Sequence, residues 1–284
     1  MTMHKSFILG CGYTGLVLAR RLESLGIEVA GTRATEQGGA SRLALRRLDL
    51  GQGAAPLLTE AQGAVVYYMI PTGFRTYDPE VRPHLQLMDN ALAGLSGLDL
   101  KGLIYLSSTS VYGDPEGGWV DEQTVPAPRS PWGRMRLELE QRLIRFGQDN
   151  KVPACVVRLP EIYGPGRGPV ARLRKGYTLR FPHRYSNRIH VEDLALVLEQ
   201  LGQRLEPPLL LVADDHPATS AEVYDHAARL LGLEAVPRGD EVVGDENRRA
   251  LLSESKRCRT DLLKKWLGQA LKYPDYKAGL PSTL

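Results

Sequence analysis

Short, nearly continuous apolar runs alternate with segments of helical spacing along the first half of the chain, and this alternation constrains the fold more than any other feature. Apolar runs of this kind are typical of strands that are buried on both faces of a parallel sheet. Strands that alternate with helices form right-handed βαβ units. The chain is therefore predicted to be an α/β protein, with strands at 7–9, 27–30, 64–70, 102–106 and 154–159 and helices at 16–25 and 134–146.

The composition agrees with a large core in a soluble chain. Of the 284 residues, 43% are hydrophobic and 24% are charged, and no apolar run approaches the ~18 residues of a membrane span. The three cysteines lie far apart and lack metal-ligand spacing, so we expect neither disulfides nor a metal site. The short polar start does not resemble a secretory segment, so we expect a cytoplasmic protein. The net charge of +3 is too small to indicate nucleic acid by itself.

A glycine motif directly follows the first predicted strand and opens the first predicted helix. In such a turn the first glycine permits the bend, the second lets the backbone approach a pyrophosphate, and the third allows close helix–strand packing. The helix N-terminus then favours the negative charge of the phosphates. The motif predicts the cofactor turn of a Rossmann-type, doubly wound sheet, whereas the alternative is a glycine-rich turn without a ligand. Its residues are Gly10, Cys11, Gly12, Tyr13, Thr14 and Gly15.

The end of the second strand bears on which dinucleotide binds. NAD sites usually place a carboxylate there to bind the ribose hydroxyls. In this chain Thr32 is followed by Arg33, and no carboxylate occupies the expected position. An arginine pairs with a 2′-phosphate, so we favour NADP as the cofactor and keep NAD as possible. The alternative is that Arg33 is an ordinary solvated loop residue.

The alternation of strands and helices loosens after residue 161, where a turn rich in Gly and Pro leads into a basic stretch. A helix near 191–201, a strand at 209–212 and a helix near 220–231 follow. We predict an NAD(P)-binding domain at 1–160 and a smaller substrate-binding lobe mostly at 161–284, with about 187–213 returning to the first domain. The substrate is expected in the cleft between them.

The segment LSSTSVYG at 106–113 resembles the strand-end motif of the extended short-chain dehydrogenases, in the NAD-dependent epimerase/dehydratase family. Four more segments fall in that family's order and spacing, and together they cover nearly the whole chain. The resemblance is greatest to bacterial nucleoside-diphosphate-sugar epimerase-like members, and it implies hydride transfer on an anionic sugar nucleotide. The four segments are SPWG at 130–133, VRLPEIYGPG at 157–166, NRIHVEDLA at 187–195 and LVADD at 211–215.

The resemblance also implies site residues. Ser108 would hydrogen-bond the reacting hydroxyl, with Ser110 two residues further on the same strand face. Asp49, at the end of the third strand, would approach the adenine, although a plain turn residue is an equal alternative. The resemblance further places Ile70, Pro71, Ser107, Leu159 and Pro160 at the cofactor and Tyr163 and Arg188 at the substrate.

The family's acid/base pair is altered. The family uses Tyr-x-x-x-Lys on one helix face, where the Lys lowers the pKa of the Tyr. The corresponding residues here are Trp132 and Arg136. Arg136 keeps the cation and fits the nicotinamide ribose, but the indole N–H of Trp132 has no usable pKa. Family dehydratases carry an Asp-Glu pair where this chain has Thr109 and Ser110, so that route also lacks its acid and base.

Other side chains are candidates for the missing base, and the sequence does not favour one. Tyr112 and Tyr163 have packing as their simpler interpretation. His190 beside Asp193 resembles part of a catalytic triad, although it is usually structural in this family. The full set of candidates is Tyr67, Tyr68, Tyr112, Tyr163, His190 and Glu161.

A basic segment runs from 162 to 191 with seven cations and no carboxylate. In relatives this region binds the diphosphate of a nucleotide-sugar, and Arg suits phosphate; a solvated basic face is an equal alternative. Nucleic acid is a weaker option, with Phe181 and Tyr185 as stacking residues. We expect Arg188 to be the most direct substrate contact.

Two functional hypotheses follow. The first is an NADP-dependent epimerase or oxidoreductase with a non-standard base, and the second is a non-catalytic NADP(H)-binding sensor or scaffold. A homodimer is possible, by analogy with relatives.

Overall fold

The computed structural model describes residues 5–34, 44–53, 55–71, 82–239 and 252–284. Thirteen strands occur in this part of the chain. They are β1 (Lys5–Leu9), β2 (Val29–Arg33), β3 (Ala44–Arg47), β4 (Ala64–Tyr68), β5 (Gly102–Ser108), β6 (Trp119–Val120), β7 (Ala154–Leu159), β8 (Glu161–Tyr163), β9 (Tyr185–Ser186), β10 (Arg188–His190), β11 (Leu209–Leu211), β12 (Ala218–Thr219) and β13 (Arg257–Cys258).

The principal helices follow the predicted alternation with the strands. They are α1 (Tyr13–Ser24), α2 (Arg82–Leu95), α3 (Pro131–Asn150), α4 (Pro169–Leu173), α5 (Val191–Arg204), α6 (Ser220–Leu230), α7 (Asp261–Leu267) and α8 (Tyr276–Gly279).

A seven-stranded sheet has the order β11-β7-β5-β4-β1-β2-β3. β1 pairs in parallel with β2 and β4, and the outer pairs β2–β3 and β4–β5 are parallel too. The strand order reverses at β1, which is the point where doubly wound sheets bind ligands. The predicted α/β class with a Rossmann-type sheet is confirmed.

Several element boundaries differ from the sequence prediction, and glycine or proline is involved in two of the differences. β2 continues through Gly31 to Arg33, because a Cβ at Gly31 would lie 2.7 Å from the Ile8 carbonyl oxygen and glycine alone permits that approach. α3 begins at Pro131, three residues earlier than predicted, since proline suits the first turn of a helix. α2 was not predicted from the sequence.

The chain divides into two compact units. The first unit comprises Met1–Ser107, Met135–Val157 and Ala195–Leu209. Its core joins the sheet to α2 and α3 through buried apolar side chains, so the apolar runs of the sequence do form the interior. These include Phe7, Leu9, Val66, Met88, Leu92, Leu103, Leu139 and Leu143.

The second unit comprises Ser108–Arg134, Arg158–Leu194 and Leu210–Leu284. Its own core is built from β8, α4, α6 and α8, with Tyr163 completely buried at the centre. Thr219 begins α6 with a reciprocal capping box to Glu222. None of the helices in the described ranges is long and apolar enough to cross a membrane.

Candidate functional site

The predicted cofactor turn connects β1 to α1 in the first unit. Gly10 has φ of +85°, and a Cβ there would lie 2.9 Å from the Ile70 Cα, so the close approach of the chain after β4 requires glycine. Thr32, near the end of β2, accepts the Cys11 N–H at its carbonyl (2.8 Å) and the Gly10 N–H at its hydroxyl (3.4 Å). Thr32 therefore holds the turn in shape through its backbone and side chain.

The surroundings of the other two glycines are compatible with their predicted tasks. A Cβ on Gly15 would lie 3.2 Å from the Ile8 side chain, which shows how closely α1 packs on β1. A Cβ on Gly12 would meet only the Gly10 carbonyl, at 3.9 Å, so the space beside Gly12 is open in the part of the chain that the structure describes. Gly12 begins α1 without a side-chain cap, and the first turn of α1 carries no acidic residue. The helix N-terminus therefore suits a pyrophosphate, and the residues present fit a dinucleotide.

Arg33 lies within electrostatic reach of this turn. Burial raises the pKa of the Cys11 thiol to about 11, and the positive charge of Arg33 opposes that rise. In the β2–β3 register Arg33 pairs with Arg47, so the two side chains share a sheet face. Sequence reasoning missed Arg47, because only the strand register identifies it.

Asp49 lies two residues beyond the end of β3 instead of ending the third strand. Its carboxylate accepts the Gly51 N–H at 2.9 Å and the Gln52 side-chain amide at 3.3 Å, in a 3₁₀ turn over Leu50–Gln52. This favours the turn role that the sequence left open. Ile70 and Pro71 follow β4 after one intervening residue, Met69, and Ile70 contacts the Gly10 turn.

The end of β5 carries the predicted serines. Ser107 is buried in the first unit and donates a 2.5 Å hydrogen bond to the buried Glu140. In the second unit, the Ser108 hydroxyl accepts the Ser110 N–H at 3.2 Å and begins a 3₁₀ turn over Thr109–Tyr112. The expectation that Ser110 shares a strand face with Ser108 is wrong, because the strand ends at Ser108 and the chain turns there.

α3 carries both altered positions of the family's acid/base pair. Trp132 is half-buried at its first turn, and Arg136 is half-buried one turn later. Burial raises the pKa of Tyr105, and the charge of Arg136 counteracts part of that rise, so Arg136 lies near this phenol. Arg136 thus keeps a cation on the helix, but Trp132 offers no proton at neutral pH.

The tyrosine candidates for a replacement base are all unsuited to it by burial. Burial raises the pKa of Tyr112 to about 12, and it raises the pKa values of Tyr67, Tyr68 and Tyr163 as well. Tyr163 also donates its hydroxyl to the Asp275 carbonyl at 3.4 Å and packs edge-on against His190. These phenols stay protonated at neutral pH, and their packing interpretation is favoured.

His190 and Asp193 do not form part of a triad. Asp193 accepts the backbone N–H groups of Lys272 (2.8 Å) and Tyr273 (2.9 Å). His190 accepts the Glu192 N–H at Nδ1 (3.3 Å), so its Nε2 carries the proton and faces the Ser282 hydroxyl at 3.1 Å. Ser282 in turn donates to the Gly279 carbonyl, and burial lowers the pKa of His190 to about 4. The imidazole is a neutral hydrogen-bond donor here and does not activate the serine.

Part of the predicted basic segment forms a cluster around one carboxylate in the second unit. We call Glu161 with Arg167, Arg172, Arg184 and Arg188 the arginine cluster. Glu161 lies 2.6 Å from an Arg172 terminal nitrogen and 3.5 Å from the Arg188 Nε. The side chain of Arg188 is only 2% exposed, whereas that of Arg172 is 46% exposed, so the cluster reaches the surface of its unit.

Glu161 is ionised within the arginine cluster. Burial alone would raise the pKa of its carboxyl, but the charges of Arg172, Arg188, Arg184 and Arg167 outweigh burial and hold the pKa below its ordinary value. Glu161 is therefore an ion-pair partner and a poor proton acceptor. The sequence placed this carboxylate outside the basic segment, and only the β8–β10 pairing brings it opposite Arg188.

The remaining predicted residues lie at the end of β7 or belong to the basic segment outside the arginine cluster. Leu159 is the buried last residue of β7, and Pro160 follows it half-buried. Of the other cations in the basic segment, Arg174 donates to the carbonyl of Leu284 at 3.1 Å. The segment therefore divides between the arginine cluster and side chains placed elsewhere.

Comparison with known proteins agrees with this geometry. The sequence profile of the NAD dependent epimerase/dehydratase family matches residues 7–204. Protein YeeZ of Escherichia coli K12 is 30% identical, covering 96% of this chain and 97% of its own.

Solved structures are also similar to this chain over nearly its whole length. A functionally unknown conserved protein from Silicibacter pomeroyi is 33% identical with a TM-score of 0.78, covering 98% of this chain and 97% of its own. The Thermus thermophilus UDP-glucose 4-epimerase in complex with NAD is 19% identical with a TM-score of 0.77, covering 98% and 97%, and shows the fold alone. Since the profile spans more than half of the sequence, this chain belongs to the NAD-dependent epimerase/dehydratase family.

Proposed function

We propose that this protein binds NADP(H) at the Gly10–Gly15 turn and a nucleoside-diphosphate-sugar, or a similar anionic substrate, at the arginine cluster, and that it transfers hydride between the two. The observation that carries the proposal is the glycine turn with an open, uncapped helix N-terminus and Arg33 nearby. When bound, the cofactor supplies hydride chemistry at C4 of its nicotinamide.

The preference for NADP rests on the charge at the carboxyl ends of β2 and β3. Arg33 and Arg47 are register partners of the parallel β2–β3 pair, so two guanidinium groups share one face of the sheet at this edge. A planar guanidinium suits a 2′-phosphate. Relatives solved with NAD, such as the Thermus enzyme, leave this preference to be tested.

The test is a titration of NADPH and NADH against the purified protein, followed by nicotinamide fluorescence and repeated with Arg33→Asp. We expect wild-type protein to bind NADPH more tightly and the variant to prefer NADH, because a carboxylate repels the 2′-phosphate and accepts bonds from ribose hydroxyls. Arg20→Asp, at an exposed position on α1, is the matched charge control. An unchanged preference in Arg33→Asp would refute the NADP assignment.

The anionic substrate rests on the arginine cluster. Four guanidinium groups act on Glu161, and the buried Nε of Arg188 lies 3.5 Å from this carboxylate without forming a hydrogen bond. Asp214 and Glu254 act on Arg188 and Arg184 in addition. A phosphate oxygen is the acceptor that guanidinium groups bind best, and the exposed Arg172 is the arginine of the cluster that a ligand reaches first. The solved protein MoeE5 binds UDP-glucuronic acid with NAD, which agrees with a diphosphate substrate.

The chain's own residues have separate tasks in this proposal. Ser108 orients the reacting hydroxyl, since its oxygen already accepts the Ser110 N–H and its hydroxyl proton remains for a ligand acceptor. Arg136 supplies the cation of α3 for the nicotinamide ribose. The hydride leaves the sugar carbon and the hydroxyl proton passes to solvent water, because burial keeps the phenols of Tyr67, Tyr68, Tyr112 and Tyr163 protonated.

The second candidate is a non-catalytic NADP(H) sensor, and the replacement of the family tyrosine by Trp132 favours it. The double variant Trp132→Tyr/Arg136→Lys restores the family pair on one helix face. If only the pair is missing, this variant gains epimerase or dehydrogenase activity on some nucleotide-sugar, detected by product analysis over a broad panel. Arg136→Lys alone is the control, because it changes the cation without supplying a phenol. No gain across the panel would contradict the substrate assignment.

A further inference from the structure

Three of the four arginines of the cluster are held in place by neutral partners as well as by Glu161. Arg172 donates to the Tyr224 hydroxyl at 2.8 Å, and Arg184 donates to the Ser220 hydroxyl at 3.2 Å. Arg188 donates to the Ser186 hydroxyl at 2.9 Å. Tyr224 also stacks on Tyr177, with ring centroids 4.9 Å apart. These three guanidinium groups therefore keep an anchor of their own when the carboxylate is removed.

Glu161 thus contributes mainly charge to the cluster. Four arginines act on it, so replacing it by a neutral residue raises the formal charge of the cluster from three to four. Asp214 acts on Arg188 and Glu254 acts on Arg184 from outside the cluster, and that replacement leaves both carboxylates in place. The Glu161 side chain is 20% exposed, beside the more exposed Arg172, so an anion that reaches Arg172 also feels the negative charge of Glu161. That repulsion grows with every charge that the anion carries.

We propose that Glu161 sets the charge specificity of the arginine cluster, weakening the binding of anions with three or more negative charges relative to anions with two. This inference rests on the proposed function, in which the cluster binds the anionic part of the substrate. A nucleoside-diphosphate-sugar has a diphosphate diester with two charges, whereas nucleoside triphosphates and inorganic polyphosphates carry more. Specificity of this kind comes from a repulsive element placed against the wrong ligand.

The test measures the affinity of wild-type protein and Glu161→Gln for sulfate, inorganic pyrophosphate and tripolyphosphate by titration calorimetry at fixed ionic strength. We expect Glu161→Gln to bind all three more tightly, with the gain growing about three- to five-fold for each additional ligand charge. Asp225→Asn is the matched control. It removes the same charge from a surface ion pair with Arg238 (3.5 Å), so its gain is expected to be small and similar for all three anions.

The proposal is overturned if the relative affinities of Glu161→Gln for the three anions equal those of wild-type protein. It is also overturned if Glu161→Gln loses binding of all three, because the carboxylate would then serve to position the arginines. Should Glu161→Gln fail to fold, the same comparison is made between Arg172→Gln and Glu161→Gln/Arg172→Gln. The double variant has no more positive charge in the cluster than wild-type protein. A tripolyphosphate-to-sulfate affinity ratio that is equal in these two proteins would also overturn it.

A parallel titration with UDP-glucose separates this inference from the proposed function. If the inorganic anions show the expected dependence on charge but no sugar nucleotide binds, the proposed substrate class is wrong and the role of Glu161 stands. If UDP-glucose binds and the charge dependence does not change in Glu161→Gln, the role of Glu161 is wrong and the substrate class stands. If wild-type protein binds none of the anions, both fail.

Discussion

His190 has both ring nitrogens engaged in the interior of the second unit, at the Glu192 N–H and at the Ser282 hydroxyl. Its ring also packs against Tyr163 and Tyr273, with centroids 5.1 and 3.9 Å away. Burial therefore favours the neutral ring. The nearby carboxylate of Glu192 raises the pKa of His190, while the ammonium of Lys272 lowers it, and burial remains the largest effect.

The pKa of His190 predicts a loss of stability in acid. Its folded-state pKa of about 4 lies below the ordinary 6.5, so the neutral ring contributes stability above pH 6.5 that is lost as the pH falls toward 4. The full contribution is about 3 kcal/mol. We expect the unfolding free energy of His190→Gln, measured with urea between pH 7 and 4, to fall less steeply than that of wild-type protein.

The exposed His183 provides the control for this comparison, because His183→Gln is expected to keep the wild-type pH dependence. Equal slopes for wild-type protein and His190→Gln would contradict the account of a buried neutral imidazole. The sequence alone offered His190 as a candidate base, and it could not show that both nitrogens are engaged, because Ser282 lies 92 residues away along the chain.

Two glycines of the turn between β1 and α1 have different roles, so alanine is expected to have a different effect at each. At Gly10 it should lower stability, and at Gly12 it should weaken NADPH binding. Gly10 has a positive φ and no room for a Cβ, so Gly10→Ala is expected to lower stability by about 1–3 kcal/mol. Gly12 has a negative φ and open space beside it, so Gly12→Ala is expected to fold with nearly wild-type stability. Its methyl group would occupy the space where the pyrophosphate approaches, and we expect NADPH binding to fall by roughly ten-fold or more.

Thermal unfolding and NADPH fluorescence titration, run on both variants, check this pair of predictions. Gly63→Ala serves as a control for the cost of alanine at positive φ, since Gly63 also has a positive φ (+73°) and, among the described residues, has nothing within 4 Å of a Cβ. Tight NADPH binding by Gly12→Ala would show that no phosphate approaches this glycine.

A strand or helix could be predicted from the sequence where a single local pattern, such as an apolar run, determines it. The apolar run predicted as a strand at 64–70 does form β4, over Ala64–Tyr68, because a strand buried throughout needs an uninterrupted apolar segment. The end of β5 was less predictable, since the turn over Thr109–Tyr112 forms when the Ser108 hydroxyl caps it. A side-chain cap at the end of an apolar strand leaves no periodic signal, so Ser110 was assigned to the strand.

At the scale of the whole chain, the family and the α/β class followed from motifs spread along the sequence, whereas the arginine cluster did not. The sequence showed a run of cations, but it could not show that Glu161 on β8 pairs with Arg188 on β10, or that Tyr224 and Ser220 on α6 anchor the guanidinium groups. Such contacts depend on the packing of separate elements. The run of cations alone therefore did not show which of its arginines pair with Glu161.

Hydride transfer on a sugar nucleotide can be measured by mixing stoichiometric protein with NADP⁺ and each member of a nucleotide-sugar panel while the absorbance of the reduced nicotinamide is followed. We expect a rise in absorbance, up to one equivalent of reduced cofactor per chain, with at least one sugar nucleotide. If NADP⁺ and sugar nucleotides bind and no absorbance develops with any of them, hydride transfer is contradicted and the non-catalytic sensor is the correct function.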